Sequence, residues 1–270
     1  MSTLPAVNVL GHHVILRLGD DRVIAPSRAE RRRWARRLCS LARDVPIVAW
    51  KLADTHLHLV VLTDRAGVDA LVRRLRIWVT SALRPGVSLE VQRTKPLSGQ
   101  SHLEAAFHYA LRQDIHHGVE TDLMQDASAL PDILGLRVLS PELPLRVREH
   151  LPRLRRDALL AHLAVPALEV ALHAEHLLES ALAAFAIDAM GLDKVDVQAR
   201  RAAIAAAAGL GPTRIADLLG VTPQAVCRLA RAPVSAPDVR AVRLQMALRA
   251  QLSAAVPFAR EPQGPVYRLG

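Results

Sequence analysis

The chain has little cysteine, few aromatic residues and no uninterrupted apolar run of membrane length. Its 270 residues include two cysteines, Cys39 and Cys227, and no CxxC pair, so no disulfide framework is expected. This cysteine usage favours a reducing, cytoplasmic setting. Aromatic residues make up 3%, too few for the base stacking of RNA-recognition domains. The alanine-rich stretch 163–190 is interrupted by His, Glu and Asp, so neither a membrane span nor a membrane partner is predicted.

Positive charge is in excess. There are 35 Lys and Arg against 26 Asp and Glu, and the resulting formal charge of +9 favours a polyanionic partner such as DNA. Arginines cluster in two segments of the first half that are predicted to be helical. As candidate phosphate contacts we single out Arg32, Arg36, Arg73, Arg74 and Arg76. Solvated helix faces are the alternative explanation of the same clusters.

The first half alternates between strand and helix patterns. Apolar runs predict strands at 13–18, 45–52, 57–63 and 87–91. A capping box formed by Ser27 and Glu30 opens a helix that reaches about residue 43, and a second helix covers 68–83. The order strand, helix, strand, strand, helix, strand predicts an α+β fold with a ferredoxin-like antiparallel sheet. We expect helices on one face of this sheet and a free face for a ligand.

Two histidines two residues apart on an apolar strand are the most informative feature of the chain. Because alternate side chains of a strand share a face, His56 and His58 project together. Neutral imidazoles are common ligands of divalent metals, so this pair suits half of a metal site. Tyr109 and Gln113 lie four residues apart on a helix predicted over 103–112. That spacing places a nucleophile and a neutral oxygen ligand on one helix face.

These segments resemble a known family. The run Trp50-Lys51-Leu52-Ala53-Asp54-Thr55-His56-Leu57-His58-Leu59-Val60 is similar to the segment that carries the metal histidines in HUH single-tyrosine transposases, and especially in REP-associated tyrosine transposases. Residues 109–118 resemble the nucleophile segment of that family, and residues 12–17 resemble its first strand. The likeness covers about residues 8–120. Asp114 replaces a proline of the family pattern, and residues 91–96 replace a longer Gly- and aromatic-rich stretch.

The resemblance implies a metal-dependent tyrosine transposase that nicks and rejoins single-stranded or hairpin DNA. Tyr109 would be the nucleophile, while His56, His58 and Gln113 would hold Mg or Mn. Attack by a tyrosine on phosphorus gives a 5'-phosphotyrosine and a free 3'-hydroxyl, so strand transfer needs no nucleotide cofactor. His116 and His117 follow the tyrosine helix and could contact substrate phosphate.

Composition divides the rest of the chain. After an HUH-like domain at 1–122, residues 123–165 are rich in proline and predict a connector or short helical turns. Residues 166–255 are typical of a helical domain, and residues 256–270 form a tail.

A helix-turn-helix pattern lies near residues 212–231. Gly220 suits the turn, and Thr222 suits the N-cap of the second helix. We expect this second helix to present Thr222, Gln224 and Arg228 to a DNA major groove. An alanine-rich helical hairpin without a DNA role is the alternative.

Other interpretations stay open from sequence alone. A domesticated, catalytically weak or inactive DNA-binding regulator would keep the basic surface and the helix-turn-helix, but would not need Tyr109. An unrelated ferredoxin-like metal-binding module would make the match at Tyr109 and Gln113 accidental. His173 and His176 share a helix face, but solvated surface residues are expected there rather than ligands. A homodimer is also open, with the tyrosine helix docked on its own sheet or on the sheet of its partner.

Overall fold

The computed structural model describes residues 9–113, 122–170 and 172–255. Residues 9–113 form an antiparallel sheet with helices. The strand order is β2-β3-β1-β4, so β3 and β1 are central. The predicted α+β class is confirmed. The elements in chain order are β1 (Gly11–Leu18), α1 (Arg28–Ala42), β2 (Ile47–Ala53), β3 (His56–Val61), α2 (Arg65–Trp78), β4 (Leu89–Leu97) and α3 (Gln100–Leu111).

Local sequence signals explain where several of these elements begin and end. At the start of α1 the Ser27 hydroxyl accepts from the backbone N–H of Glu30, and the Glu30 carboxylate accepts from the backbone N–H of Ser27, so the predicted capping box is confirmed. Asp54 has a positive φ of 50°, which allows the tight turn between β2 and β3. Beyond α2 the chain continues in a π-helical turn, Val79–Leu83, which accounts for the longer helix predicted there.

Strand β4 is longer than its apolar pattern predicts. It continues through Gln92, Arg93, Lys95 and Pro96, which are all exposed. In the described part of the chain β4 pairs only with β1, so it is an edge strand. Polar side chains and a proline without an N–H donor are tolerated there, because the outer side of an edge strand needs no ladder partner.

Helices cover both faces of the sheet, so the expectation of a free face is wrong. Trp34 of α1 and Leu71 of α2 belong to the core on one face. On the other face, Leu103 and Phe107 of α3 pack against Val60 in a second core. Each fully buried side chain of this size contributes about 1.5–3 kcal/mol of stability. The second face therefore contributes to folding as well as carrying the paired histidines.

The proline-rich region 123–165 forms short helices, and part of it packs against the sheet. Backbone bonds from Leu52 to Ala127 and from Ala129 to Trp50 cover the outer edge of β2. Apolar residues between the prolines are buried, and Pro131 occupies the first turn of a helix, where its missing N–H costs little. This region contains α4 (Leu130–Leu134), α5 (Glu142–His150) and α6 (Arg156–Leu160), followed by a 3₁₀ turn, Ala161–Leu163.

The remaining described chain is helical around a third core. Ala203, Ile215 and Val226 are buried in it, and small alanines let the helices approach closely. After a 3₁₀ turn, Ala174–His176, the elements are α7 (Leu177–Phe185), α8 (Lys194–Ala206), α9 (Pro212–Leu219), α10 (Pro223–Ala230) and α11 (Ala236–Ala255). Among the described residues no helix is long and apolar enough to cross a membrane.

Candidate functional site

The paired histidines share one face of β3. His58 lies opposite Ile15 of β1 and Lys51 of β2, so it occupies the middle of the sheet and is buried. His56 lies opposite Arg17, nearer the turn, and is half-buried. The centroids of the two imidazole rings are 6.3 Å apart. The strand therefore places both imidazoles on the face that α3 covers.

Tyr109 of α3 lies against these histidines. Its ring centroid is 6.0 Å from the ring centroid of His58 and 5.6 Å from that of His13. Tyr109 is 43% exposed, whereas Phe107 and Ala110 anchor the helix in the second core. The tyrosine helix thus docks on the sheet of its own chain, with the partly exposed Tyr109 ring beside imidazoles.

His13 is a third imidazole that the sequence did not single out. Its Nε2 atom is 3.2 Å from Nδ1 of His58, and the two rings stack with centroids 5.4 Å apart. Burial, reinforced by the positive charges of Lys95 and Arg93, lowers the pKa of His13 to about 4. His13 is therefore neutral at pH 7. The register of β1 against β3 brings His13 next to His58, and the sequence pattern of a single strand does not predict that register.

Gln113 is completely buried next to the end of α3. Its amide Nε2 donates to the backbone carbonyl of Tyr109 at 2.6 Å. Its Oε1 atom has no hydrogen-bond partner among the described residues. A buried carbonyl oxygen without a donor is costly unless a ligand satisfies it.

Each of the three predicted ligands is of a type that divalent cations accept. His56 and His58 offer imidazole nitrogens, and the orphaned Gln113 oxygen is the ligand type that Mg and Mn prefer. In the described part of the chain, no group of three or more His, Cys, Asp or Glu side chains is arranged to hold a metal. A cation here would therefore need the amide oxygen, together with water or substrate oxygens.

Comparisons with protein families, curated proteins and solved structures found no match to this chain. Its likeness to the HUH transposases thus remains a resemblance of residues and spacing.

Two exposed cations border the histidine cluster. Lys95 of β4 lies opposite His13, and Arg93 lies in the same row of the sheet as His58. Because facing residues of paired strands project to the same side, both cations lie on the face that carries Tyr109. They are exposed and suit contacts with phosphate groups at the open edge of the sheet.

Two arginines of α1 that we predicted to contact DNA are engaged inside the protein. Arg32 is 2% exposed, lies 3.7 Å from the Asp126 carboxylate and donates to the carbonyl of Ile187 at 2.5 Å. Arg36 is half-buried and donates to the carbonyl of Ala186. Both side chains tie α1 to later parts of the chain, so a structural role replaces the predicted phosphate contact for Arg32.

The predicted arginines of α2 are closer to the surface. Arg73 and Arg76 are exposed, and Arg76 also donates to the carbonyl of Leu89 at 2.7 Å. Arg74 forms an ion pair with Asp44 at 2.9 Å. Helix α2 packs on the face of the sheet opposite to Tyr109. A DNA strand bound at Tyr109 would have to pass around the sheet to reach these arginines.

The predicted helix-turn-helix is formed by α9 and α10. Gly220 has a left-handed φ of 64°, and the Thr222 hydroxyl accepts from the backbone N–H of Ala225 at 3.2 Å. Val226 packs inward, whereas Thr222, Gln224 and Arg228 are exposed on α10. Two helices joined by a turn thus lie where the pattern predicted them, with the three predicted contact residues on the surface.

A second histidine pair joins α3 to the 3₁₀ turn that follows α6. Nδ1 of His108 is 3.2 Å from Nε2 of His162, and the rings stack. Burial, with the charges of Arg112, His108 and Lys51, lowers the pKa of His162 to about 4. Burial also lowers the pKa of His108. Both rings are therefore neutral at pH 7, and this pair fastens the tyrosine helix to the body.

Two further expectations concern histidines elsewhere. His173 and His176 each lie 3.8 Å from the Glu175 carboxylate in the 3₁₀ turn before α7, consistent with surface residues. His116 and His117 lie outside the described residues.

Proposed function

We propose that this chain is a metal-dependent tyrosine endonuclease and strand transferase that acts on single-stranded or hairpin DNA. The observation that carries the proposal is the position of the partly exposed Tyr109 ring, 6.0 Å from the ring of His58. The two residues lie on separate elements, in the order that the resemblance to HUH transposases implies. The four-stranded antiparallel sheet, with its strand order β2-β3-β1-β4, is compatible with the ferredoxin-like fold that the resemblance implies, which supports the same proposal.

The reaction uses the phenol of Tyr109 as the nucleophile. Its oxygen forms a bond to phosphorus, the bond from phosphorus to the 3' oxygen breaks, and the phenolic proton passes to the departing 3' oxygen. Arg93 and Lys95 hold neighbouring phosphates on the same face of the sheet. A divalent cation bound by His56, His58 and Gln113 would polarise the scissile phosphate and offset its developing charge.

The test is a covalent complex. The purified chain is incubated with labelled single-stranded DNA from both flanks of its own locus, with Mn²⁺ or Mg²⁺, and resolved on a denaturing gel. We expect a protein-DNA band that EDTA abolishes and that Tyr109→Phe lacks. The matched control is Tyr267→Phe, because Tyr267 is the only other tyrosine in the sequence and lies in the tail outside the described residues. A band that persists in Tyr109→Phe would refute the assignment of the nucleophile.

A second candidate function is a DNA-binding regulator that has lost its chemistry. The exposed Thr222, Gln224 and Arg228 on a well-formed α10 favour it, since such a helix can bind duplex DNA without the tyrosine site. This candidate predicts that Gln224→Ala and Arg228→Ala weaken binding to flanking duplex DNA and that no metal-dependent band forms in any variant. A band that requires Tyr109 excludes it.

A further inference from the structure

A cavity of about 870 Å³ is lined by residues from two parts of the chain, 132–159 and 235–240. Helices α4, α5 and α6 form one side of it, and residues 235–240 at the start of α11 form the other. None of the histidines around Tyr109 lines it. The cavity therefore belongs to the junction between the sheet-bearing half and the helical half of the protein.

The walls of this cavity are mainly apolar. Ile133, Val138, Pro144, Leu154 and Pro237 all line it, and none of them is fully buried. The apolar surface inside the cavity therefore remains open to a ligand. Small-molecule sites in proteins typically have volumes of about 300–1,000 Å³ and mostly apolar walls with a few polar groups. This cavity has the size and the character of such a site.

Three exposed arginines also line the cavity. The guanidinium groups of Arg156 and Arg240 form neither an ion pair nor a hydrogen bond with a described residue. Arg148 donates only to the carbonyl of Pro144, at 3.4 Å. Guanidinium groups in this state can bind a carboxylate or a phosphate with paired hydrogen bonds.

The acidic residues in the walls do not cancel this positive charge. The Asp132 carboxylate accepts two hydrogen bonds from the buried Arg137, at 2.9 and 2.5 Å. The Asp238 carboxylate is buried and accepts from the amide of Gln198 at 2.7 Å. The guanidinium groups that remain without acidic partners are those of Arg148, Arg156 and Arg240, so the cavity favours an anion.

We propose that this cavity binds a small amphipathic anion, with an apolar chain or ring against the walls and a carboxylate or phosphate head held by Arg156 and Arg240. The proposal does not rest on the proposed strand-transfer function, because it uses none of the residues of the tyrosine site.

Four probes separate the parts of the expected ligand. The full chain is titrated with decanoate, decyl phosphate, decanol and inorganic phosphate by calorimetry, with the amphiphiles below their critical micelle concentrations. The melting temperature is followed in parallel. We expect decanoate or decyl phosphate to bind with one site per chain and to raise the melting temperature, because a ligand of the folded state stabilises it. The better of the two identifies the preferred head group. Decanol and inorganic phosphate should each bind at least about tenfold more weakly.

Substitutions test the location. The double substitution Arg156→Gln with Arg240→Gln should weaken binding of the better anion by about tenfold or more, because it removes charge-assisted hydrogen bonds. Ala236→Phe should also weaken binding, since Ala236 lines the cavity and a phenyl ring there would fill part of it. Arg153→Gln is the matched control, because Arg153 is an exposed arginine of the same region that lines a different cavity.

Three results would overturn the proposal. The first is the absence of saturable binding by both anionic amphiphiles. The second is equal binding of decanol, which would remove the role of charge. The third is unchanged affinity in the double arginine variant, which would place the site elsewhere on the protein.

Discussion

Nε2 of His13 lies 3.2 Å from Nδ1 of His58, so β1 holds the His58 ring in place. When one nitrogen of an imidazole is engaged in this way, its orientation and its tautomer are set by the partner. Loss of such a partner typically weakens metal binding by about 10–100-fold. His13 therefore supports the proposed metal site without being one of its predicted ligands.

We expect His13→Ala to weaken Mn²⁺ binding by about tenfold or more, measured by electron paramagnetic resonance of free Mn²⁺. His12→Ala is the control. His12 is equally buried, lies next in sequence, projects to the opposite face and bonds to the carbonyl of Thr63 at 2.9 Å. Equal losses in the two variants would mean that the effect comes from general destabilisation.

The two cations on β4 should matter for binding single-stranded DNA. We expect Arg93→Ala combined with Lys95→Ala to reduce the slope of log affinity against log salt by about 1.4, which corresponds to two lost phosphate contacts on a single strand. Arg73→Ala is the control, because Arg73 is exposed on α2, which packs on the face of the sheet opposite to Tyr109. The measurement is fluorescence anisotropy at several salt concentrations. A larger effect of Arg73→Ala would instead place the DNA strand on the face of the sheet that α1 and α2 cover.

A buried ion pair stabilises the packing of the region after the sheet. The guanidinium of Arg137 bonds to the Asp132 carboxylate and lies 5.4 Å from the centre of the Trp50 ring. Removing one member of such a pair leaves an uncompensated buried charge. We expect Asp132→Ala to lower the free energy of unfolding by about 3–5 kcal/mol, measured by urea denaturation. Asp157→Ala breaks an exposed pair and should cost about 1 kcal/mol or less.

The pair formed by His108 and His162 should make the free energy of unfolding depend on pH. The pKa of His162 is about 4 in the folded protein and about 6.5 in an unfolded chain, so only the unfolded state takes up a proton between these values. Its contribution to stability is present above about pH 6.5 and is lost as the pH falls toward 4. We expect the urea midpoint to drop between pH 7 and pH 5, and His162→Gln to reduce that drop. An unchanged drop in His162→Gln, matching that of the control His176→Gln, would contradict the assignment.

Features governed by local signals could be predicted from the sequence. The capping box at Ser27, the shared face of His56 and His58, and the turn at Gly220 depend on residues close together in the chain, and the structure has all three. The position of Tyr109 beside the histidines was expected from the resemblance rather than from periodicity.

Features governed by contacts between distant residues could not be predicted. His13 reaches the site only through the register of β1 against β3, and β4 has no clear apolar alternation because it is an edge strand. Arginine is usually a surface residue, but Arg32 is enclosed by Asp126 and Ile187, which lie far from it in the sequence. Likewise, the proline-rich pattern of residues 123–165 does not predict how this region packs against the sheet.

The fold is completed late in synthesis, because helix α11 is the last of the described elements along the chain. Its Leu244 and Leu248 belong to the core beneath α3, while its Val242 and Met246 belong to the helical core. Domains tend to fold as they emerge from the ribosome, N-terminal parts first. The second core of a nascent chain thus lacks Leu244 and Leu248 until α11 has emerged. During that interval the growing polypeptide exposes apolar surface that α11 covers in the folded protein, and such surface favours aggregation.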